Sequence, residues 1–310
     1  MSTPTATQQP APHSALRRLV ARHPMATFLA MVYIVSFAFT LPLVRTQLDI
    51  LPPDLPLWSS LGTLFGVALP AFMVIAAVEG RAGVRDLARR SLRWRVGARW
   101  YLFALLGLPT GVVVCASVIF GLAPLNALVD KWPLLLTVVA PELLVRIVLF
   151  NLAEEIGWTG FLQARLQDRY GPLKACVIVE VPFALWHLPD VMIETGSGLA
   201  QLPLALGWLG VLAISQLFGR LVIMWLYNNT NRSVLLVGLF HSSFNTTTGA
   251  FGRAFIPGWS DGSVLLIASG VVAVAAVLMV VLTRGRLCYK PTTKFPTERD
   301  SAPTTRENLA

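Results

Sequence analysis

Eight apolar segments, most of them close to the length of a membrane-spanning helix, follow one another along this chain of 310 residues. They occupy residues 25–44, 58–79, 100–123, 138–160, 174–194, 203–227, 234–251 and 263–283. A helix that crosses the bilayer needs about 20 apolar residues. Only 13% of the residues are charged, against about 25% in soluble proteins. We therefore predict an all-α polytopic membrane protein with about eight transmembrane helices.

Basic residues fall almost entirely on one side of this arrangement. With the N-terminus inside, 20 of the 25 Lys and Arg residues lie in cytoplasmic segments, and the outer loops hold Arg45, Lys131 and Arg253. Lys and Arg are retained on the cytoplasmic side of membrane proteins, so we predict that both termini are cytoplasmic. The net charge of +9 then reflects topology rather than binding to nucleic acid. The Arg-rich loop 81–99 either lies on anionic lipid as an amphipathic helix or serves as a topology anchor.

The same reading divides the chain into five parts. They are a disordered N-terminal tail (1–15), helices 1–3 (16–132), a core of helices 4–7 (133–250), helix 8 (251–289) and a disordered C-terminal tail (290–310). The tails are rich in Pro, Thr and other polar residues, which cannot bury enough apolar surface to fold.

Ionisable side chains inside the apolar segments are concentrated in helices 4 to 7. They are Glu142, Arg146, Glu154, Glu155, Glu180, His187, Arg220 and His241, with the amide of Asn245 beside them. Such groups are costly within the bilayer and commonly mark a functional site. Helices 4 to 7 are therefore expected to surround a polar centre.

Helical rise predicts that several of these groups share one depth in the bilayer. At ~1.5 Å per residue from the nearest cytoplasmic basic residue, Glu154 lies at ~16 Å and His187 at ~20 Å. The same count places His241 at ~14 Å and Asn245 at ~20 Å. Three helices thus bring polar side chains to one layer, which predicts a single site. Glu154 and Glu155 are adjacent, so one can face a cavity while the other turns to a neighbouring helix.

Three short motifs occur in order at these positions. They are Glu154–Phe161 (EEIGWTGF), Phe183–His187 (FALWH) and His241–Asn245 (HSSFN). They resemble the EExxxR, FxxxH and HxxxN/D motifs of the CAAX-protease and bacteriocin-processing (CPBP) intramembrane proteases, which include the Ras-converting type of CAAX prenyl protease 2. The resemblance covers residues 133–250.

The resemblance implies a role for each matched residue. Glu154 would activate a water molecule, and His187 would position that water or polarise the peptide. His241 and Asn245 would stabilise the oxyanion, with Glu155 orienting the site from behind. Phe183 belongs to the second motif.

One position departs from the family pattern, because Thr159 stands where the motif arginine is expected. Arg220 is the candidate replacement partner for Glu155. Arg146 lies nearer the outer face and is better placed to pair with Glu142, four residues earlier on the same helix.

The metal requirement stays open at this point. Glu154, His187 and His241 could form a His₂–carboxylate site for Zn²⁺ with an open coordination position. The family is often described as metalloproteases, yet a metal-free glutamate mechanism is also argued for it.

The resulting functional prediction is an intramembrane endopeptidase that cleaves a membrane-associated or lipidated protein or peptide. Its expected location is a bacterial cell membrane, with lipids and the peptide substrate as partners and no nucleic acid. The alternatives are a non-catalytic immunity or scaffold protein of the same fold, a transporter, and a haem protein ligated by His187 and His241.

Overall fold

A computed structural model describes residues 15–45, 61–195, 199–256 and 261–291. Within these ranges the longer elements are all helices, and no strand occurs among them. In chain order they are α1 (Ala15–Arg22), α2 (Pro24–Arg45), α3 (Leu61–Ser91), α4 (Ala98–Phe120), α5 (Ala123–Asp130), α6 (Leu135–Tyr170), α7 (Pro172–Trp186), α8 (Leu188–Thr195), α9 (Leu202–Asn229), α10 (Val234–Thr246) and α11 (Asp261–Leu282). The predicted tails lie almost wholly outside the described residues.

Five of these helices are long and apolar enough to cross a membrane, namely α3, α4, α6, α9 and α11. A sixth span is present if α7 and α8, which meet at an angle of 46°, are counted as one bent helix. The protein is therefore an all-helical integral membrane protein with five to six candidate spans among the described residues. Eight spans and cytoplasmic termini remain predictions.

Glycine and proline set the breaks between the helices near the predicted polar centre. Gly171 ends α6 with a φ of 81° and allows the chain to reverse into α7, whose first residue is Pro172. A positive φ costs glycine no steric strain, and proline fits the first turn of a helix. Ser233 begins α10, and its hydroxyl accepts a hydrogen bond from the Leu236 amide at 3.2 Å. Serine is among the best residues for this capping position.

The Arg-rich segment predicted as a loop is largely helical. Gly80, with a φ of 63°, breaks α3, and a helical stretch continues from Arg81 to Ser91. A turn then leads to α4, which begins after Gly97. The helix agrees with one of the two alternatives for 81–99, and contact of this segment with lipid remains a prediction.

Two apolar clusters hold the helices together. One joins α4, α9, α10 and α11 through residues such as Val112, Met224 and Val237, and the other joins α2, α3, α6 and α7 around Trp158 and Phe28. The helices that carry the motifs therefore lie where the two clusters adjoin.

Helix α6 is irregular where it carries the paired glutamates. Leu152–Glu155 is a single α-helical turn between two π-helical stretches, Ile147–Asn151 and Ile156–Gln163. π-Helical turns are rare and frequently occur at functional sites. Gly157 in the same stretch allows close packing against α3, because a Cβ atom at this position would lie 2.5 Å from Val67 Cγ1.

Candidate active site

Six helices, α6 to α11, line a cavity of about 330 Å³ that contains the predicted polar layer. Its wall contains Glu154 from α6, His187 from the α7–α8 junction, Arg220 from α9, and His241 and Asn245 from α10. The structure therefore brings together the groups that the sequence analysis assigned to one layer, and their catalytic roles remain predictions.

Glu155 lies behind the cavity wall and is completely buried. Its Oε1 is 2.8 Å from His241 Nδ1, and its Oε2 is 3.2 Å from Arg220 Nη1. The Thr159 hydroxyl donates a hydrogen bond to the same Oε2 and accepts one from Arg220 Nη1 at 3.1 Å. Burying a carboxylate is costly unless it is paired and hydrogen-bonded, and this network provides both. Arg220 therefore lies beside Glu155, as the candidate replacement for the motif arginine would.

Glu154 has a different environment from its neighbour. The residue is buried to all but 7%, it faces the cavity, and no hydrogen bond to its carboxylate is formed within the described parts of the chain. Its nearest polar neighbour with a measured distance is His241, whose Nδ1 lies 3.9 Å from Glu154 Oε2. Glu154 is therefore the carboxylate that remains open to water or substrate.

His187 directly follows α7, and its ring is held by one hydrogen bond and two aromatic neighbours. Its Nδ1 lies 2.9 Å from the Phe183 carbonyl oxygen, which can only accept, so Nδ1 carries a proton and Nε2 is free. The ring packs edge-on against Phe183 and Trp186, with centroids 4.7 and 4.9 Å away. The Phe183 ring also lies 4.5 Å from the Arg220 guanidinium carbon. Phe183 therefore packs against the His187 ring and also makes a cation–π contact with Arg220.

Asn151 is a site residue that the sequence analysis missed. It is 1% exposed, and its Oδ1 accepts hydrogen bonds from Ser242 Oγ at 3.1 Å and from Asn245 Nδ2 at 3.4 Å. It therefore orients Asn245 toward the cavity. The available signal was an amide within an apolar run, three residues before Glu154 and on the same helix face. The sequence-based prediction for this helix used its ionisable residues alone.

The proposed metal set is not gathered in this geometry. Within residues 15–45, 61–195, 199–256 and 261–291, no group of three or more His, Cys, Asp and Glu side chains is arranged to hold a metal ion. His241 directs Nδ1 at Glu155, and His187 directs Nδ1 at a backbone carbonyl. Glu154, His187 and His241 therefore line one cavity without forming a ligand set.

Three further ionisable residues of the apolar segments lie outside the cavity. Arg146 and Glu142 form an ion pair at 2.7 Å on one face of α6, as predicted. Glu180 is 5% exposed and does not line the cavity, and neither of its carboxylate oxygens has a hydrogen-bond partner among the described residues.

Fold and site together define a polytopic α-helical membrane protein with a buried glutamate–histidine–arginine centre. Residues 137–247 match the family model of the type II CAAX prenyl endopeptidase Rce1-like proteins. A curated relative, CAAX prenyl protease 2 of Methanococcus maripaludis, is 28% identical over 93 residues. That alignment covers 30% of this chain and 34% of the relative, so it spans about a third of each protein. The family match falls on the part of the chain that carries the three motifs, and both similarities support the resemblance to the CPBP family of membrane proteases.

Proposed function

We propose that the protein is an intramembrane endopeptidase that hydrolyses a peptide bond with a water molecule activated by Glu154. The observation that supports this proposal is that two adjacent carboxylates have different environments. Glu155 is engaged by His241, Arg220 and Thr159, whereas Glu154 faces the cavity without a hydrogen bond from any described residue. A general base needs that freedom to contact the proton it removes.

The proposed reaction balances with Glu154 as the proton carrier. Its carboxylate accepts a proton from water while the water oxygen bonds to the scissile carbonyl carbon. As the C–N bond of the tetrahedral intermediate breaks, the same proton passes to the departing nitrogen. The products are a carboxylic acid and an amine, Glu154 returns to its ionised form, and the new acid then loses its own proton to the amine or to solvent.

Three neighbouring side chains have atoms available for this reaction. His187 Nε2 can accept a hydrogen bond from the attacking water, because its Nδ1 proton is held by the Phe183 carbonyl. Asn245 uses one amide proton toward Asn151 and keeps the other for the oxyanion. His241 lies beside two carboxylates, which compensate the charge of an imidazolium that donates to the oxyanion from Nε2.

The proposed substrate is a membrane-associated or lipidated protein or peptide, and the expected setting is a bacterial cell membrane. The position of the site within apolar helices supports a substrate that reaches the bilayer. The relative's name adds prenylated CAAX proteins to the candidates, since it is called a CAAX prenyl protease.

The decisive experiment measures cleavage of a quenched fluorescent peptide library, with lipidated members, by the full chain in detergent. We expect Glu154→Gln and His241→Ala each to lower the rate at least 100-fold, the scale of general acid–base and oxyanion contributions. Glu142→Gln is the matched control, because this glutamate lies on the same helix, paired with Arg146 outside the cavity. A chelator added to each sample tests the metal requirement separately.

Equal cleavage by wild type and Glu154→Gln would refute the proposed mechanism. Absence of cleavage by folded wild-type protein, together with a biological role that survives Glu154→Gln, would instead support a non-catalytic immunity or scaffold protein.

A further inference from the structure

Helix α8 brings two carboxylates to the mouth of the cavity. Asp190 and Glu194 are four residues apart on the same helix face, both are exposed, and both line the cavity that contains Glu154. Like charges at this spacing repel each other and destabilise a helix slightly. Asp190 lies in the first turn of α8, where a negative charge is favourable, whereas Glu194 lies in the last turn, where it is not, so helix formation does not explain Glu194.

No cation of the described chain compensates this pair. Asp190 and Glu194 form no ion pair or hydrogen bond with any described residue. Among the described residues that line the cavity, Arg220 is the only Lys or Arg, and its Nη1 is committed to Glu155 at 3.2 Å. An imidazolium at His241 is compensated by the adjacent Glu154 and Glu155, so Asp190 and Glu194 are the two carboxylates of the cavity wall that no described cation pairs.

This surplus of negative charge bears on the proposed reaction. Attack on a peptide carbonyl creates an oxyanion, and its repulsion from nearby carboxylates is strong where the dielectric constant is low. A cationic group beside Asp190 and Glu194 would offset that repulsion. Since the described chain supplies none, the substrate is the natural source.

The adjoining wall indicates what surrounds that cation. A second cavity of about 530 Å³, almost entirely apolar, lies between α8, α9 and α11. It shares Val191, Glu194, Leu212, Ser215 and Leu265 with the first cavity. A substrate segment that reaches Glu194 therefore meets apolar side chains immediately beyond it.

We propose that Asp190 and Glu194 are specificity-determining residues that select peptide segments in which a Lys or Arg is flanked by apolar residues. This inference rests on the proposed function and names the substrate class for the same site. The cationic head contacts the two carboxylates, and its apolar neighbours contact the α8–α9–α11 wall.

The test uses three peptides that differ at one position, which carries Lys, Gln or Glu between leucines. Wild-type kcat/KM is expected to fall in the order Lys, Gln, Glu. Each carboxylate should contribute up to about fivefold, the range of partly exposed ion pairs, and added salt should reduce the preference. Asp190→Asn and Glu194→Gln should each weaken the preference for Lys. The double substitution Asp190→Lys/Glu194→Lys should reverse it in favour of Glu.

Asp130→Asn is the matched control, because Asp130 is an exposed acid that lines neither cavity. It should leave the charge preference unchanged. An equal loss of preference in this variant would overturn the assignment to α8.

Binding of the labelled peptides to the Glu154→Gln variant separates this inference from proteolysis. Tighter binding of the Lys peptide, lost on adding Asp190→Asn and Glu194→Gln, supports the inference even if the wild-type protein cleaves nothing. Cleavage without any charge preference overturns the inference and leaves the proposed function intact. Equal binding of the three peptides, or no binding of any, also overturns it.

Discussion

Arg220 Nη1 lies 3.2 Å from Glu155 Oε2, so the second glutamate of the motif obtains its arginine from α9 rather than from its own helix. The position four residues after Glu155, where the family motif has arginine, is Thr159, and its hydroxyl touches both partners. The arginine that pairs with this glutamate therefore lies at a different position in the sequence from the motif arginine. Three-dimensional contact, rather than sequence spacing, decides which cation compensates a buried carboxylate.

Removing the Arg220 guanidinium should destabilise the protein strongly. The Arg220 side chain is 1% exposed and that of Glu155 is fully buried, so Arg220→Met leaves an uncompensated buried charge. We expect the free energy of unfolding in detergent to fall by about 3–5 kcal/mol, and adding Glu155→Gln should restore a large part of it. Arg146→Met is the control, because that side chain is 33% exposed and its pair should contribute under ~1 kcal/mol. Equal losses at the two arginines would contradict the argument.

Placing arginine back at the motif position tests whether Thr159 and Arg220 share one function. Thr159 is fully buried, so Thr159→Arg alone adds bulk and a second cation beside Arg220 and should cost at least ~3 kcal/mol. Combined with Arg220→Leu, the new guanidinium can pair with Glu155. A double-mutant cycle on unfolding free energies should then give a coupling of about 1 kcal/mol or more. Strictly additive costs would show that the two positions are independent.

The placement of the site could be predicted largely from the sequence. Helical rise fixes depth, and interior charges are rare enough in an apolar chain to mark their helices, so Glu154, His187 and His241 could be assigned to one layer. Arg220 was proposed from the same count of depth, whereas Arg146 lies nearer the outer face.

The other features of the fold and the site depend on three-dimensional contacts, which the spacing of residues in the sequence does not specify. Span counting assumed uninterrupted helices, whereas α10 gives way after 13 residues to a π-helical turn, Thr247–Phe251. The metal set was inferred from residue types and depth, and among the described residues no three His, Cys, Asp or Glu side chains are arranged to hold a metal ion. Asn151 was not predicted because it belongs to none of the three motifs and is uncharged, although its hydrogen bond to Asn245 places it at the site.

Asn151 should affect catalysis through its hydrogen bond with Asn245, without contacting the reacting atoms itself. Its Oδ1 holds the Asn245 amide at 3.4 Å, so Asn151→Leu frees Asn245 to rotate away from the oxyanion. We expect kcat to fall at least tenfold with a smaller change in KM, as for lost transition-state contacts. Ser242→Ala is the matched control, because it removes the other donor to the same oxygen and spares Asn245. A similar fall in kcat for both variants would assign the effect to packing.

Gly157 should tolerate no side chain, because α6 and α3 approach each other there. A Cβ atom would lie 2.5 Å from Val67 Cγ1 and 3.0 Å from the Val67 carbonyl oxygen. Since the backbone itself must move, Gly157→Ala should lower the free energy of unfolding by about 1–3 kcal/mol. Gly210→Ala, on α9 with no atom within 4 Å of the new methyl group, should be neutral or slightly stabilising. Thermal unfolding of the two variants compares them directly, and equal shifts would contradict the close approach.

Tyr289 ties the segment after α11 to α6 and should make stability sensitive to alkaline pH. Its hydroxyl donates a hydrogen bond to Asp168 Oδ1 at 2.7 Å. Burial, followed by this hydrogen bond and the charge of Asp168, raises the pKa of Tyr289 above its usual value of 10.0. The folded state therefore keeps a proton that the unfolded state loses, so the contribution is complete below pH 10 and declines as pH rises further. Wild type should exceed Tyr289→Phe by about 1 kcal/mol at pH 8, and the difference should shrink by pH 11. A difference that stays constant or grows over this range would contradict the assignment.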